Sequence, residues 1–327
     1  MANFKDMLGQ HQVKQHLQTA ISKGNISHAY IFSGETGYGR YTMASAFAKT
    51  LLCEQEHSDA CGHCKSCMQA ENRNNPDIRY ITHEKSSISV DDIREQLNSD
   101  IAIKPYSGKY KIYIIREANK MTEQAQNALL KTIEEPPEYA VIILITDNLD
   151  ALLPTIQSRC VHLEFKPIGK DEIAGYLIDN LQMEPKIART AAGFCQGNVG
   201  KAIRFAASED FQMMKKDVLS LLTNMDKMEV IDIIETIKDF SKQKNVFTDY
   251  LDLMMLWYRD VLMFKVTKDT NILLYQDEYN NISKQASRRS YEDLENIINA
   301  IDKAKLRLDA NVNFELVVEL LVLTIKD

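Results

Sequence analysis

The chain has 327 residues, of which 45% are hydrophobic and 26% are charged, as is usual for a soluble globular protein of two or three domains. The net charge of −7 argues against a strongly basic nucleic-acid surface over the whole molecule, although not against a local patch. No apolar run is long enough to span a bilayer, and the N-terminus lacks the hydrophobic region of a signal peptide. We therefore expect a cytoplasmic protein whose six cysteines are free thiols or metal ligands.

The first 167 residues alternate short apolar strands with helices. The predicted helices cover 10–23, 43–52, 90–101 and 122–134, and the predicted strands cover 29–33, 77–82, 111–116, 140–146 and 160–165. Such alternation indicates an α/β fold with a parallel sheet covered on both faces. In sheets of this kind ligands bind at the carboxyl ends of the strands.

The pattern changes after Pro167, and no further convincing strand follows. Three short helices are predicted at 170–180, 184–195 and 200–207, followed by longer ones at 228–242, 247–264, 290–309 and 314–325. We therefore place domain boundaries near residues 167 and 208.

A glycine-rich loop connects the first strand to the next helix, in the order of a P-loop nucleotidase with the pattern G-x-x-x-x-G-K-[ST]. Its glycines are retained as Gly34, Gly37 and Gly39. Arg40 replaces the lysine that reaches the phosphates, and Tyr41 replaces the short hydroxyl residue that holds Mg²⁺. The phenol of tyrosine lies too far from the backbone for that role. The sequence thus retains a scaffold for binding phosphate and loses residues needed to hydrolyse it.

The ends of the third and fourth strands should complete the site. P-loop ATPases of this kind carry an Asp for Mg²⁺ and then a Glu that polarises water, where this chain has Arg116 and Glu117. A cation beside the expected Mg²⁺ position repels the metal, although an ordinary solvated pair of residues is the alternative. Thr146, at the end of the fourth strand, could sense a γ-phosphate, but threonine is common at strand ends.

The segment 53–68 carries a cysteine cluster with the spacing C-x7-C-x2-C-x2-C, which predicts a structural zinc site without an open coordination position. The four expected ligands are Cys53, Cys61, Cys64 and Cys67. His57 and His63 are possible substitute ligands. Four unrelated thiols, or a redox pair, are the alternatives.

The motif Ser158-Arg159-Cys160 directly precedes the fifth strand. A single arginine in a loop is usually a surface ion pair. In ring-forming ATPases, however, this edge of the fold faces the nucleotide of the neighbouring subunit, and an arginine there acts in trans with an effect of roughly 10³–10⁵ on the rate. We therefore treat Arg159 as a candidate arginine finger.

Together, these motifs resemble bacterial clamp-loader subunits of the AAA+ class. The resemblance also rests on His28-Ala29-Tyr30 and on the run 127–137, which reads NALLKTIEEPP, and it is close up to about residue 208. It implies an AAA+ P-loop domain over 1–167 with a zinc-binding insertion, a helical lid over 168–208, and an all-α collar or oligomerisation domain over 209–327.

Within this family the motor subunits, gamma and tau, retain the P-loop Lys and Thr, the Asp-Glu pair and a sensing arginine in the lid. This chain departs at Arg40, Tyr41 and Arg116, and Gly200 stands at the lid position. The resemblance therefore implies a stator subunit that binds structural zinc and does not bind ATP productively. It implies a ring with delta and the motor subunits, in which Arg159 reaches the ATP of a neighbour and the complex loads a sliding clamp onto primer–template DNA.

Two other functions remain open from the sequence. Arg40 could replace the lysine functionally, which would make the chain an active clamp-loader ATPase. The chain could instead be a zinc-containing DNA-binding module, for which Lys49, Lys65 and Arg73 lie near the cysteine cluster.

Overall fold

The computed structural model describes residues 3–55, 58–207, 209–240 and 247–326. The chain divides into two compact units, residues 1–203 and 204–327.

The first unit is built on a five-stranded sheet. Its strands are β1 (Ala29–Ser33), β2 (Ile78–Ile81), β3 (Lys111–Ile115), β4 (Ala140–Thr146) and β5 (Val161–Glu164). All four pairings are parallel, in the order β2-β3-β4-β1-β5, which confirms the predicted parallel sheet. Ser33 pairs with Thr146 on one side and Glu164 on the other, so these three strands end at one edge. The loops that follow them therefore lie together.

Helices cover both faces of this sheet. They are α1 (His11–Ser22), α2 (Arg40–Leu51), α3 (Lys65–Glu71), α4 (Val90–Ile93), α5 (Glu123–Glu134) and α6 (Pro154–Gln157). Three more helices follow β5 and form the lid, namely α7 (Lys170–Asp179), α8 (Pro185–Phe194) and α9 (Val199–Ala207). Leu17 and Phe47 belong to the core on one face, and Ile93 and Leu129 to the core on the other. Because both faces are covered, every residue of β1, β3 and β4 is buried.

Two helices of the first unit differ from their predicted bounds by three residues or more. The helix after the P-loop begins at Arg40, because Gly39 has φ +88° and directly precedes it. The helix predicted over 90–101 is α-helical only over α4 and continues as a π-helical turn over 94–98. In that wider turn Asn98 accepts a hydrogen bond from Thr132 Oγ1 of α5 at 3.0 Å. Hydrophobic periodicity carries no information about this contact.

The second unit is helical throughout its described part. Its helices are α10 (Glu209–Asn224), α11 (Val230–Phe240), α12 (Phe247–Thr267), α13 (Tyr279–Arg288), α14 (Tyr291–Asp309) and α15 (Phe314–Lys326). The core surrounds α12, where the buried Trp257 donates to Gln285 Oε1 at 2.9 Å. The last two residues of the helix predicted over 228–242 lie outside the described residues. Among the described helices, none combines the length and apolar character needed to cross a membrane.

Candidate functional site

The P-loop turns between β1 and α2 on three glycines with positive φ. Gly34, Gly37 and Gly39 have φ values of 137°, 102° and 88°. A Cβ atom on Gly34 would lie 2.6 Å from the carbonyl oxygen of Phe165, and one on Gly37 would lie 2.1 Å from Oδ1 of Asn198. Both the backbone angle and the neighbouring atoms therefore require glycine at these positions.

Arg40 occupies the lysine position with its side chain turned onto its own loop. Its Nη2 donates to Oγ1 of Thr36 at 3.0 Å. The residue is buried, and this burial lowers the pKa of the guanidinium, which the nearby carboxylate of Asp147 partly offsets. The cation that replaces the lysine is thus held inside the loop.

Tyr41 and Arg116, the two departures at the Mg²⁺ position, contact each other. The guanidinium carbon of Arg116 lies 4.6 Å from the centroid of the Tyr41 ring, and that of Arg73 lies 5.7 Å away. These are distances at which a cation is attracted to an aromatic face. A guanidinium offers only hydrogen-bond donors and so cannot ligate a metal.

Glu117 and Thr146 both have partners within the protein. The Glu117 carboxylate lies 2.7 Å from Nζ of Lys120 and 3.4 Å from Nε2 of His83, and the Lys120 hydrogen bond lowers its pKa. The Thr146 hydroxyl is buried and donates to the Asn148 carbonyl at 2.7 Å, so it stabilises the turn after β4. Glu117 lines the cavity described next, and Thr146 does not.

A cavity of about 420 Å³ lies beside the P-loop. Its lining includes Arg116, Glu117 and the P-loop. It also includes four apolar or aromatic side chains that were not expected from the sequence, namely Met7, Leu8, Tyr176 and Ile203. They come from the N-terminal segment and the lid helices, and no local motif marks them.

The lid contacts the P-loop directly through Asn198, a buried residue that precedes α9. Its Nδ2 donates to the Thr36 carbonyl at 2.8 Å and to Glu35 Oε1 at 3.1 Å, and its Oδ1 accepts from Lys201 N at 3.0 Å. Gly200 N donates to the Gly37 carbonyl at 3.1 Å. These contacts join the lid to the loop.

Position 200, the lid position that departs from the expected pattern, needs a small residue in this chain. A Cβ atom on Gly200 would lie 3.0 Å from Cα of Gly37 and 3.3 Å from its carbonyl oxygen. A larger side chain there would press against the P-loop backbone unless the loop moved.

The four cysteines of the insertion converge. The sulfurs of Cys53, Cys61, Cys64 and Cys67 all lie within 4.8 Å of one another, and those of Cys61 and Cys67 are 3.9 Å apart. A zinc ion bonded to four sulfurs at about 2.3 Å holds each pair of sulfurs about 3.8 Å apart. The separations of this cluster therefore fit a tetrahedral zinc ion.

Backbone N–H groups support negative charge on these sulfurs. The amides of Cys61, Cys64 and Cys67 donate to sulfurs of the cluster at 3.4 Å each. The backbone of His63 lowers the pKa of Cys61 to about 6, whereas burial raises the pKa of Cys53 and Cys67. Metal binding would thus displace protons from the two buried thiols.

The histidines and the basic residues near the cluster have other surroundings. The ring nitrogens of His63 lie 3.0 Å from the Cys61 carbonyl and 3.1 Å from Nε2 of Gln55, and His57 lies outside the described residues. Lys49 is buried and pairs with Glu71 at 2.8 Å, while Lys65 is exposed. With Arg73 beside Tyr41, two of the three basic residues considered for DNA binding have partners within the protein.

Arg159 follows α6 and is half-exposed. Its Nη2 lies 2.8 Å from Oε1 of Glu134, and its Nη1 donates to the Thr155 carbonyl at 3.0 Å. Ser158 Oγ is 3.4 Å from the same Nη1. Burial raises the pKa of the Cys160 thiol to about 12, which keeps it protonated at neutral pH. Of this motif, only the arginine carries charge.

A parallel sheet of this strand order, with a P-loop after β1 and a helical lid joined to that loop, defines a P-loop protein of the AAA+ class. The family model "DNA polymerase III, delta subunit" matches residues 9–169, and "DNA polymerase III, delta subunit, C terminal" matches 210–327. The Bacillus subtilis DNA polymerase III subunit delta′ is 32% identical over 321 residues, which cover 97% of this chain and 96% of that protein. The chain belongs to the delta-prime family of bacterial clamp-loader subunits.

Tau subunits of DNA polymerase III are similar over less of their own length. The Bacillus subtilis DNA polymerase III subunit tau is 29% identical over 322 residues, which cover 90% of this chain and 57% of tau. Among solved structures, a Thermotoga maritima gamma subunit-related protein aligns with a TM-score of 0.48 and 19% identity, covering 96% of this chain and 98% of that one.

Proposed function

We propose that this chain is the stator of a DNA polymerase III clamp loader, a subunit that does not hydrolyse ATP and instead supplies Arg159 to a neighbouring ATPase. Its partners would be gamma or tau motor subunits and delta, in the cytoplasm. Through the assembled ring it would act on the sliding clamp and on primer–template DNA. Its helical second unit would serve assembly.

The observation that carries the proposal is the contact between Arg116 and Tyr41, at 4.6 Å. In a P-loop ATPase these two positions hold Mg²⁺, whose charge offsets that of the phosphates. A guanidinium there repels the ion and supplies no ligand oxygen. Arg40, which donates to Thr36, is also held within the loop. These features favour an inactive site over an ATPase in which Arg40 replaces the lysine.

The cysteine cluster would hold a structural zinc ion. The separations of the sulfurs match a tetrahedral ion, and four thiolates fill its coordination. Asp59 in this insertion accepts hydrogen bonds from Phe4 N at 3.0 Å and Lys5 N at 3.2 Å. Zinc would therefore also secure the N-terminal segment that leads to the cavity.

The proposal is tested by titrating the purified chain with Mg-ATP in a calorimeter while phosphate release is followed. We expect no release, and the same chain should support ATP hydrolysis when it is combined with delta and motor subunits. Steady turnover by the isolated chain would contradict the stator assignment. A gel-shift titration with duplex DNA tests the alternative that the chain is a zinc-containing DNA-binding module. Such a module would bind DNA on its own, with strong salt dependence.

A further inference from the structure

Glu134 contacts the arginine on which the proposed trans activity depends. Its Oε1 lies 2.8 Å from Nη2 of Arg159, while Nη1 of the same guanidinium donates to the Thr155 carbonyl. Two contacts to two nitrogens of one planar group set both its plane and its direction. We propose that Glu134 is a positioning residue that holds Arg159 in the orientation needed to meet the neighbour's nucleotide. This inference rests on the proposed role of Arg159.

The two segments that carry this pair, the end of α5 and the residues after α6, are held together by their neighbours. Gln126 of α5 is buried, and its side chain accepts from Leu153 N at 2.7 Å and donates to the Ala151 carbonyl at 2.9 Å. Ile156 of α6 lies in the same core as Leu129 of α5. Because α5 and the segment leading into α6 are joined, the Glu134 carboxylate is a fixed anchor for Arg159.

The position of Glu134 gives little benefit to its own helix. It is the last residue of α5, where the partial negative charge of the helix terminus disfavours a carboxylate. Its ion pair is also largely open to water, since the side chains of Arg159 and Glu134 are 41% and 42% exposed. Pairs exposed to this extent contribute little to stability. Because the ion pair contributes little to stability, its remaining effect is to orient the Arg159 side chain.

The pairing leaves the arginine able to act. A guanidinium has five N–H donors, and the contacts of Arg159 with Glu134, Thr155 and Ser158 leave others for a phosphate oxygen. An arginine without these contacts would sample many rotamers and would lose that freedom when it reached the nucleotide. Glu134 reduces this cost without itself touching the neighbour's nucleotide.

The test uses a reconstituted loader whose motor subunits carry alanine at their own finger arginines, so that arginine-dependent hydrolysis reports on Arg159. E135Q is the matched control, because it makes the same change at the next residue, whose carboxylate has no ion pair among the described residues. R159A should lower kcat on the order of 10³-fold. E134Q should lower kcat by about 2- to 5-fold with an unchanged KM for ATP, and E135Q should not.

The double variant E134Q/R159A separates positioning from a structural role. If Glu134 acts through Arg159, E134Q has no further effect once Arg159 is alanine. A further loss in the double variant, an E134Q rate equal to that of E135Q, or an E134Q rate above wild type would each overturn the inference. R159A with wild-type activity would instead refute the trans role of Arg159, and the inference with it.

Discussion

Asn198→Ala tests whether the lid is locked to the P-loop. The substitution removes the hydrogen bond that Nδ2 of Asn198 donates from the lid to Oε1 of Glu35 in the P-loop, a loss that costs about 1 kcal/mol. It also removes the buried bond to the Thr36 carbonyl, which contributes about 1 kcal/mol more. The total of about 2 kcal/mol should raise the opening equilibrium of the lid against the loop about 30-fold.

Amide hydrogen exchange is the appropriate measurement, because unfolding of the whole chain would mix two compact units. We expect faster exchange at residues 34–39 and 199–203 in the variant, with no change around α12. Asn180→Ala is the control, since Asn180 is an exposed residue at the end of α7. An N198A exchange pattern equal to that of N180A would refute the conclusion that Asn198 holds the lid against the P-loop.

Three further predictions concern the rest of the first unit. Cys67→Ser should abolish stoichiometric zinc binding, as measured by metal analysis of the purified chain. Asp77→Asn should lower the free energy of opening of the first unit by about 2 kcal/mol, as measured by amide hydrogen exchange in β3, because the buried carboxylate accepts three backbone amides in 106–108. Burial alone would raise the pKa of Asp100, but hydrogen bonds such as that from Lys111 outweigh burial and leave it lowered. The ionised Asp100 therefore stabilises the folded state above about pH 4, and this contribution is lost as the pH falls. D100N should accordingly reduce the acid dependence of unfolding.

The positions of the strands followed from the sequence with errors of at most one residue, because short apolar runs between turn residues are local signals. Short stretches of sequence were also enough to show that Arg40 and Tyr41 depart from the P-loop pattern. The same holds for the spacing of the cysteines. Such features need no knowledge of the distant chain. The short helices α3 and α6 were missed, since four to seven residues are too few to show a period.

The sequence alone thus determined the α/β order, identified the four cysteines that converge, and marked the departures from the P-loop pattern. The tertiary structure decided what the altered residues contact. It placed Arg116 against the ring of Tyr41, and Glu134 against Arg159. It also directed the Thr146 hydroxyl to the Asn148 carbonyl, within the turn after β4. These partners are far apart in sequence or depend on the direction of one side chain. Sheet order and helix packing set such contacts, and hydrophobic periodicity does not encode them.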